Sequence, residues 1–77
     1  MQITHLKCGQ QAEVTGLSKV NPGYRHKLLA MGLTPGTRFT LSRVAPLGDP
    51  VEIQLRGYAL SLRKDEAAIL TIRRIDP

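Results

Sequence analysis

Cysteine, aromatic residues and acidic residues are all scarce in this chain, and each shortage removes a class of explanation. A single cysteine, Cys8, excludes an internal disulfide and fits a reducing compartment. Tryptophan is absent, and Tyr24, Phe39 and Tyr58 make up the aromatic content. Acidic residues number 6 against 11 Lys and Arg, a formal net charge of +5 that suits an acidic partner, a nucleic acid or an anionic membrane face. No apolar run approaches the roughly 20 residues needed to cross a bilayer, and the amino-terminal MQITHLKCGQ has no signal-like apolar core. These absences lead us to expect a soluble, cytoplasmic protein. The length of 77 residues allows one domain, residues 1–77, which is too small for a deep catalytic cleft.

What is present reads as strands, tight turns and one helix. Gln11 to Leu17 alternates weakly, with Ala12 and Val14 on one face, and predicts a first strand. Asn21 is a good N-cap, Pro22 suits the first helical position, and Gly32 can take the left-handed conformation that ends a helix. Thr34-Pro35-Gly36-Thr37 has the order of a type II turn and leads into a strand from Arg38 to Val44. Phe39 and Leu41 share a face of that strand. Val44 breaks their parity, which a bulge near Ser42 would restore.

The stretch APLGDPVEIQLRGYALSLRKDEA, residues 45 to 67, is the most regular in the chain. Pro46 and Pro50 push the residues before them towards extended backbone and predict a bend with Leu47 at its tip. Val51, Ile53 and Leu55 then alternate with polar residues, and beyond Gly57 the parity flips to Tyr58, Leu60 and Leu62. A two-residue turn at Arg56-Gly57 accounts for the flip by setting Leu55 opposite Tyr58, Ile53 opposite Leu60 and Val51 opposite Leu62. Lys64 to Ile69 predicts a helical turn, and Leu70 to Ile75 a last strand with Leu70 and Ile72 inward. The expectation is a mainly β domain: a small closed or half-closed barrel of about five strands, one short helix between strands 1 and 2, and a helical turn before the last strand.

The run LLAMGLTPGTRFTLSRVAPLGDPVEIQLRGYALSLRKDEAAIL resembles the core of the ferrous iron transport protein A (FeoA) family, in which MGL, PG, APLGDP, RGY and LSLRK follow in this order. The same domain looks like the C-terminal module of diphtheria-toxin-repressor-type metalloregulators, but no winged-helix half is present here. The resemblance implies an SH3-like barrel, a bacterial cytosol and a role in ferrous iron uptake. The implied partner is FeoB, the membrane transporter of ferrous iron with a GTP-hydrolysing cytosolic domain. A small regulator at the cytosolic face of the inner membrane follows from it, and we expect a monomer or weak dimer without stoichiometric iron.

Residue by residue, the chain offers little chemistry. The carboxylates of Asp49, Glu52, Asp65, Glu66 and Asp76 do not group with either histidine in a catalytic spacing, so no enzyme is expected. Gly48 and Gly57 are turn glycines without the lysine and helix start of a phosphate cradle. His5, Cys8 and His26 are the candidate ligands for iron or zinc, but a dedicated site needs three or four convergent groups. Both histidines read as solvated, and Cys8 reads more readily as a small buried residue than as a ligand. No resident cofactor or metal is expected. Arg38, Arg43, Arg56, Arg63, Arg73 and Arg74 could serve as an electrostatic footprint for RNA or single-stranded DNA. With all three aromatics assigned to the core no stacking platform accompanies them, and nucleic-acid binding stands as the alternative function, beside a metal-responsive module.

The helix carries the strongest sign of a protein partner. Tyr24, Leu28 and Met31 fall on one stripe and predict the face that packs on the sheet. Leu29 falls elsewhere, between Arg25 and His26. Either a wide stripe buries it too, or Arg25, His26 and Leu29 form an apolar anchor with a basic rim. Leu47 is a second candidate anchor.

Overall fold

The computed structural model describes residues 1–75; Asp76, one of the carboxylates considered above, and Pro77 lie outside the described residues. Five strands form one antiparallel sheet: β1 (Gln11–Leu17), β2 (Arg38–Val44), β3 (Val51–Leu55), β4 (Tyr58–Leu62) and β5 (Leu70–Arg74). Helix α1 (Pro22–Ala30) joins β1 to β2, and the short helix α2 (Lys64–Ala67) joins β4 to β5. The spatial order is β4-β3-β2-β1-β5, so β4 and β5 are the two edges and the sheet is not closed into a full barrel.

The local signals explain these elements. Asn21 Oδ1 accepts the Tyr24 N–H at 3.0 Å, satisfying one free donor at the start of α1, with Pro22 in the first turn. Gly36 has φ +95°, and the Thr37 N–H bonds the Thr34 carbonyl at 3.0 Å, closing the expected turn. The β3–β4 hairpin has the register that parity demanded, Leu55 opposite Tyr58, Ile53 opposite Leu60 and Val51 opposite Leu62. In β2 the register shifts between Leu41 and Arg43, the bulge anticipated near Ser42. Val44 nevertheless remains 40% exposed, because it pairs with Val51 near the open end of the sheet.

The core collects Ala12, Val14, Leu28, Phe39, Leu41, Ile53, Leu62, Leu70 and Ile72 from the inward faces, joined by Leu33 just after α1. Ile3 and Leu6 also belong to it, carried by a 3-10 turn at Ile3–His5 that alternation did not reveal. Burying each such side chain is worth about 1.5–3 kcal/mol, and a domain of this size depends on all of them. Two expectations need correction. Cys8 is exposed, since it sits in the turn that leads into β1. Tyr58 is 44% exposed, since it begins an edge strand with no neighbour on its outer side.

Tyr58 is nevertheless held firmly. Its hydroxyl donates to the Met31 carbonyl at 2.9 Å, and the backbone of Gly32, at φ +99°, lies beneath it. A Cβ at position 32 would stand 2.5 Å from the Tyr58 oxygen but 3.8 Å from the ring carbon that bears it. Gly32 therefore serves two needs at once, the left-handed end of α1 and the close approach of Tyr58. Replacing Gly32 with Ala is expected to cost about 2–3 kcal/mol through backbone strain and this clash, and Tyr58→Phe about 1 kcal/mol. The double variant is expected to fall short of the sum, because removing the hydroxyl removes the clash; chemical denaturation of the four proteins checks this, and strict additivity would contradict it.

Candidate docking surface

Helix α1 presents the residues of interest. Leu28 is fully buried, and Tyr24 and Met31 are half-buried and packed against the core. Leu29 is half-buried and lies outside the set of residues that lean on the core. His26 is exposed beside it. Arg25 departs from the simple picture of a solvated rim. It is half-buried, and its Nε is buried with no hydrogen-bond partner among the described residues, an arrangement that leaves a donor unsatisfied in the free domain.

The helix is also tied down by charge, through a pair that no local pattern in α1 announces. Lys27 Nζ donates to Glu66 Oε2 at 2.5 Å, joining α1 to α2, while the Arg63 N–H donates to Glu66 Oε1 at 2.9 Å. Glu66 is only 5% exposed. The hydrogen bond from Lys27 and then the one from the Arg63 backbone hold its carboxyl below the ordinary value of 4.5, with burial acting in the opposite direction.

Leu47 stands 96% exposed at the tip of the loop between β2 and β3. The Ala45 N–H bonds the Pro50 carbonyl and the Gly48 N–H bonds the Ala45 carbonyl, so the tip is built on a closed turn. Asp49 has a structural role, because its Oδ1 accepts the Lys64 N–H at 2.9 Å. Val20, before α1, is 90% exposed, and sequence reasoning did not single it out because it belongs to no alternating or helical pattern.

The other candidates are dispersed. His5 Nδ1 accepts the Gln2 N–H at 3.2 Å in the amino-terminal turn, Cys8 is exposed in the following turn, and His26 is on α1. Among the described residues no three His, Cys, Asp or Glu side chains come together as a metal site. The basic residues do not form one field either. Glu13 takes Arg38 at 3.6 Å and Arg73 at 3.2 Å, so two of the six arginines considered for nucleic acid are already paired across the sheet. No helix among the described residues is long and apolar enough to cross a membrane.

The FeoA domain family profile matches residues 1–74. The chain belongs to this family, which is associated with ferrous iron transport. A FeoA-like protein from Clostridium acetobutylicum is 31% identical and superposes with a TM-score of 0.90, covering 100% of this chain and 88% of that one. IdeR from T. acidophilum, at 21% identity and a TM-score of 0.86, shares the SH3-like fold over 97% of this chain and 34% of its own. A Porphyromonas gingivalis protein described as an Fe(2+) transport protein A/Fe(2+) transporter FeoB fusion is 32% identical over 75 residues. The match covers 97% of this FeoA-family chain and 9% of the fusion protein.

The Glu66 contacts yield a pH prediction. A carboxyl whose folded-state pKa is depressed contributes stability that is complete above its unfolded value, here about 4.5, and that disappears as pH falls through the lower folded value. The acid side of the melting-temperature profile is therefore expected to be shallower in Glu66→Gln than in the unmodified protein, with the two curves converging at low pH. Thermal melts across that range check it; parallel curves would show that Glu66 is not held this way.

Proposed function

We propose that this FeoA-family domain is a non-catalytic adaptor that binds the cytosolic side of a FeoB-type ferrous iron transporter and regulates it. The observation that carries the reading is the Porphyromonas gingivalis relative, in which a domain 32% identical to this one is described as fused to FeoB. Two functions joined in one polypeptide are held at high effective concentration, and a separate chain must reach the same proximity by binding. A non-catalytic role agrees with the chemistry of the side chains. The carboxylates Asp49 and Glu66 are occupied with backbone and lysine contacts, and Glu13 with two arginines.

The contact surface we assign is α1 with Arg25, His26 and Leu29, together with Leu47. An acidic surface of the partner would meet the basic rim and cover Leu29. The net charge of +5 speeds such an encounter.

Leu28 and Leu29, neighbours in sequence, separate scaffold from contact. Leu28→Asp buries an unpaired charge in the core and is expected to unfold the domain. Leu29→Asp is expected to cost no more than about 1–2 kcal/mol, since the side chain is half-buried, yet to abolish co-purification with the transporter. Thermal melting and affinity capture against co-expressed FeoB check both. A folded Leu29→Asp protein that still captures the transporter would move the contact elsewhere, with Leu47→Asp as the next variant.

A further inference from the structure

The two edges of the sheet are treated differently. On the β5 side, the outward Ile72 N–H is taken by the Met1 carbonyl at 3.0 Å, so this edge is covered by the amino-terminal segment. On the β4 side no other segment pairs with the strand among the described residues. Which groups it offers follows from the ladder. Bonded and non-bonded pairs alternate along antiparallel strands, and the residues flanking a two-residue turn form a bonded pair. Leu55–Tyr58, Ile53–Leu60 and Val51–Leu62 are then the bonded pairs of the hairpin. Two strands away, Leu41 has the phase this requires, its N–H and carbonyl turned towards Gln10 and Gly9. The N–H and C=O of Ala59 and Ser61 therefore point outward into solvent.

This edge lacks the usual protections. Strands left open are normally guarded by a charge, a proline or a bulge. Tyr58–Leu62 is YALSL, uncharged and paired with β3 without a register shift. Ala59 and Ser61 are small and exposed, and inward-facing Leu60 is only half-buried because the sheet ends beside it. Charge appears just beyond the strand, with Arg56 before it and Arg63 and Lys64 after it, all exposed. A shallow groove of about 280 Å³ lined by Arg43, Ala45, Pro50, Val51, Glu52 and Ser61 opens on the outer face at this edge. The one acid in that lining, Glu52, lies 3.4 Å from the Ser42 hydroxyl.

We infer that β4 is a strand-docking edge that accepts an extended peptide segment of a partner protein, uncharged in its centre and acidic at both ends. Main-chain bonds to Ala59 and Ser61 supply the affinity, and the groove beside Ser61 receives a side chain of the docked strand. The acidic ends meet Arg56 on one side and Arg63 with Lys64 on the other. A second copy of this chain fits worse. Antiparallel pairing of β4 with itself, Ala59 against Ser61, sets Arg56 of each copy opposite Lys64 of the other, and like charges directly opposed destabilise a sheet.

The test uses the intact protein and a blocked synthetic peptide, Asp-Glu-Thr-Val-Thr-Val-Thr-Glu-Asp, followed by amide NMR. Saturable shifts are expected at Ala59 and Ser61, with amide exchange at both slowed about tenfold when roughly nine in ten molecules are occupied. The same peptide with lysine at both ends is expected not to bind. Ser61→Pro removes an outward N–H that the ladder does not use, so Ile53 and Leu60 should keep their protection while binding disappears. Arg56→Glu, on an exposed turn residue, should weaken binding without touching the fold. The inference is overturned if the acidic peptide leaves Ala59 and Ser61 unmoved, if the lysine-ended peptide binds equally well, or if folded Ser61→Pro still binds. Concentration-dependent shifts of the same amides without peptide would give the edge to a second copy and overturn it equally.

Discussion

The hydroxyl of Tyr58 reaches from the first residue of β4 to the carbonyl of Met31, and Gly32 leaves it room to arrive. This bond joins the last turn of α1 to the β3–β4 hairpin. The contact satisfies a carbonyl at the helix end, where the left-handed Gly32 terminates α1. Leu33 can then turn straight into the core and β2 can start in register with β1. The Lys27–Glu66 pair works from the other side, linking α1 to α2. Held at both points, α1 leaves His26 exposed and Leu29 half-buried beside it.

This division of labour gives the small domain a logic. Its inward faces form the core, and Glu13, Asp49 and Glu66 are occupied by turns, caps and ion pairs. What remains is the buried Arg25 Nε, which has no hydrogen-bond partner among the described residues, the half-buried Leu29, the exposed Leu47 and Val20, and the open edge of β4. The relative described as fused to FeoB supplies a partner that the proposed adaptor role requires. The two assigned surfaces adjoin at the β2–β3 loop, where Ala45 and Pro50 line the groove beside Ser61 and Leu47 stands at the tip.

Much of the fold was legible because period-2 patterns and turn chemistry act locally. The parity flip at Gly57 determined the hairpin register, and the broken parity at Val44 located the bulge in β2. Asn21-Pro22 and Gly32 bounded α1 for the same reason. The missing parts depend on distant partners. Ile3 and Leu6 enter the core from a short 3-10 turn without period, and Lys27 finds Glu66 across 39 residues of sequence. Only the Arg63-to-Glu66 spacing, a capping-box interval ahead of α2, hinted that Glu66 serves the backbone. Parity alone places Tyr58 in the core, and parity does not tell an edge strand from a central one. At the candidate site, helical angles separated Leu28 from Leu29 correctly, but the partial burial of Arg25 depends on neighbours that angles cannot supply.

The proposed transporter contact consists of α1 around Arg25, His26 and Leu29 together with the Leu47 loop. Hydrogen exchange of the protein, free and bound to intact FeoB in a lipid nanodisc, tests it most directly. The account predicts added protection confined to α1 around Arg25 to Leu29 and to the loop around Leu47, with β1 and β2 unchanged. No added protection anywhere, or protection centred on β1 and β5 with α1 unaffected, would contradict it.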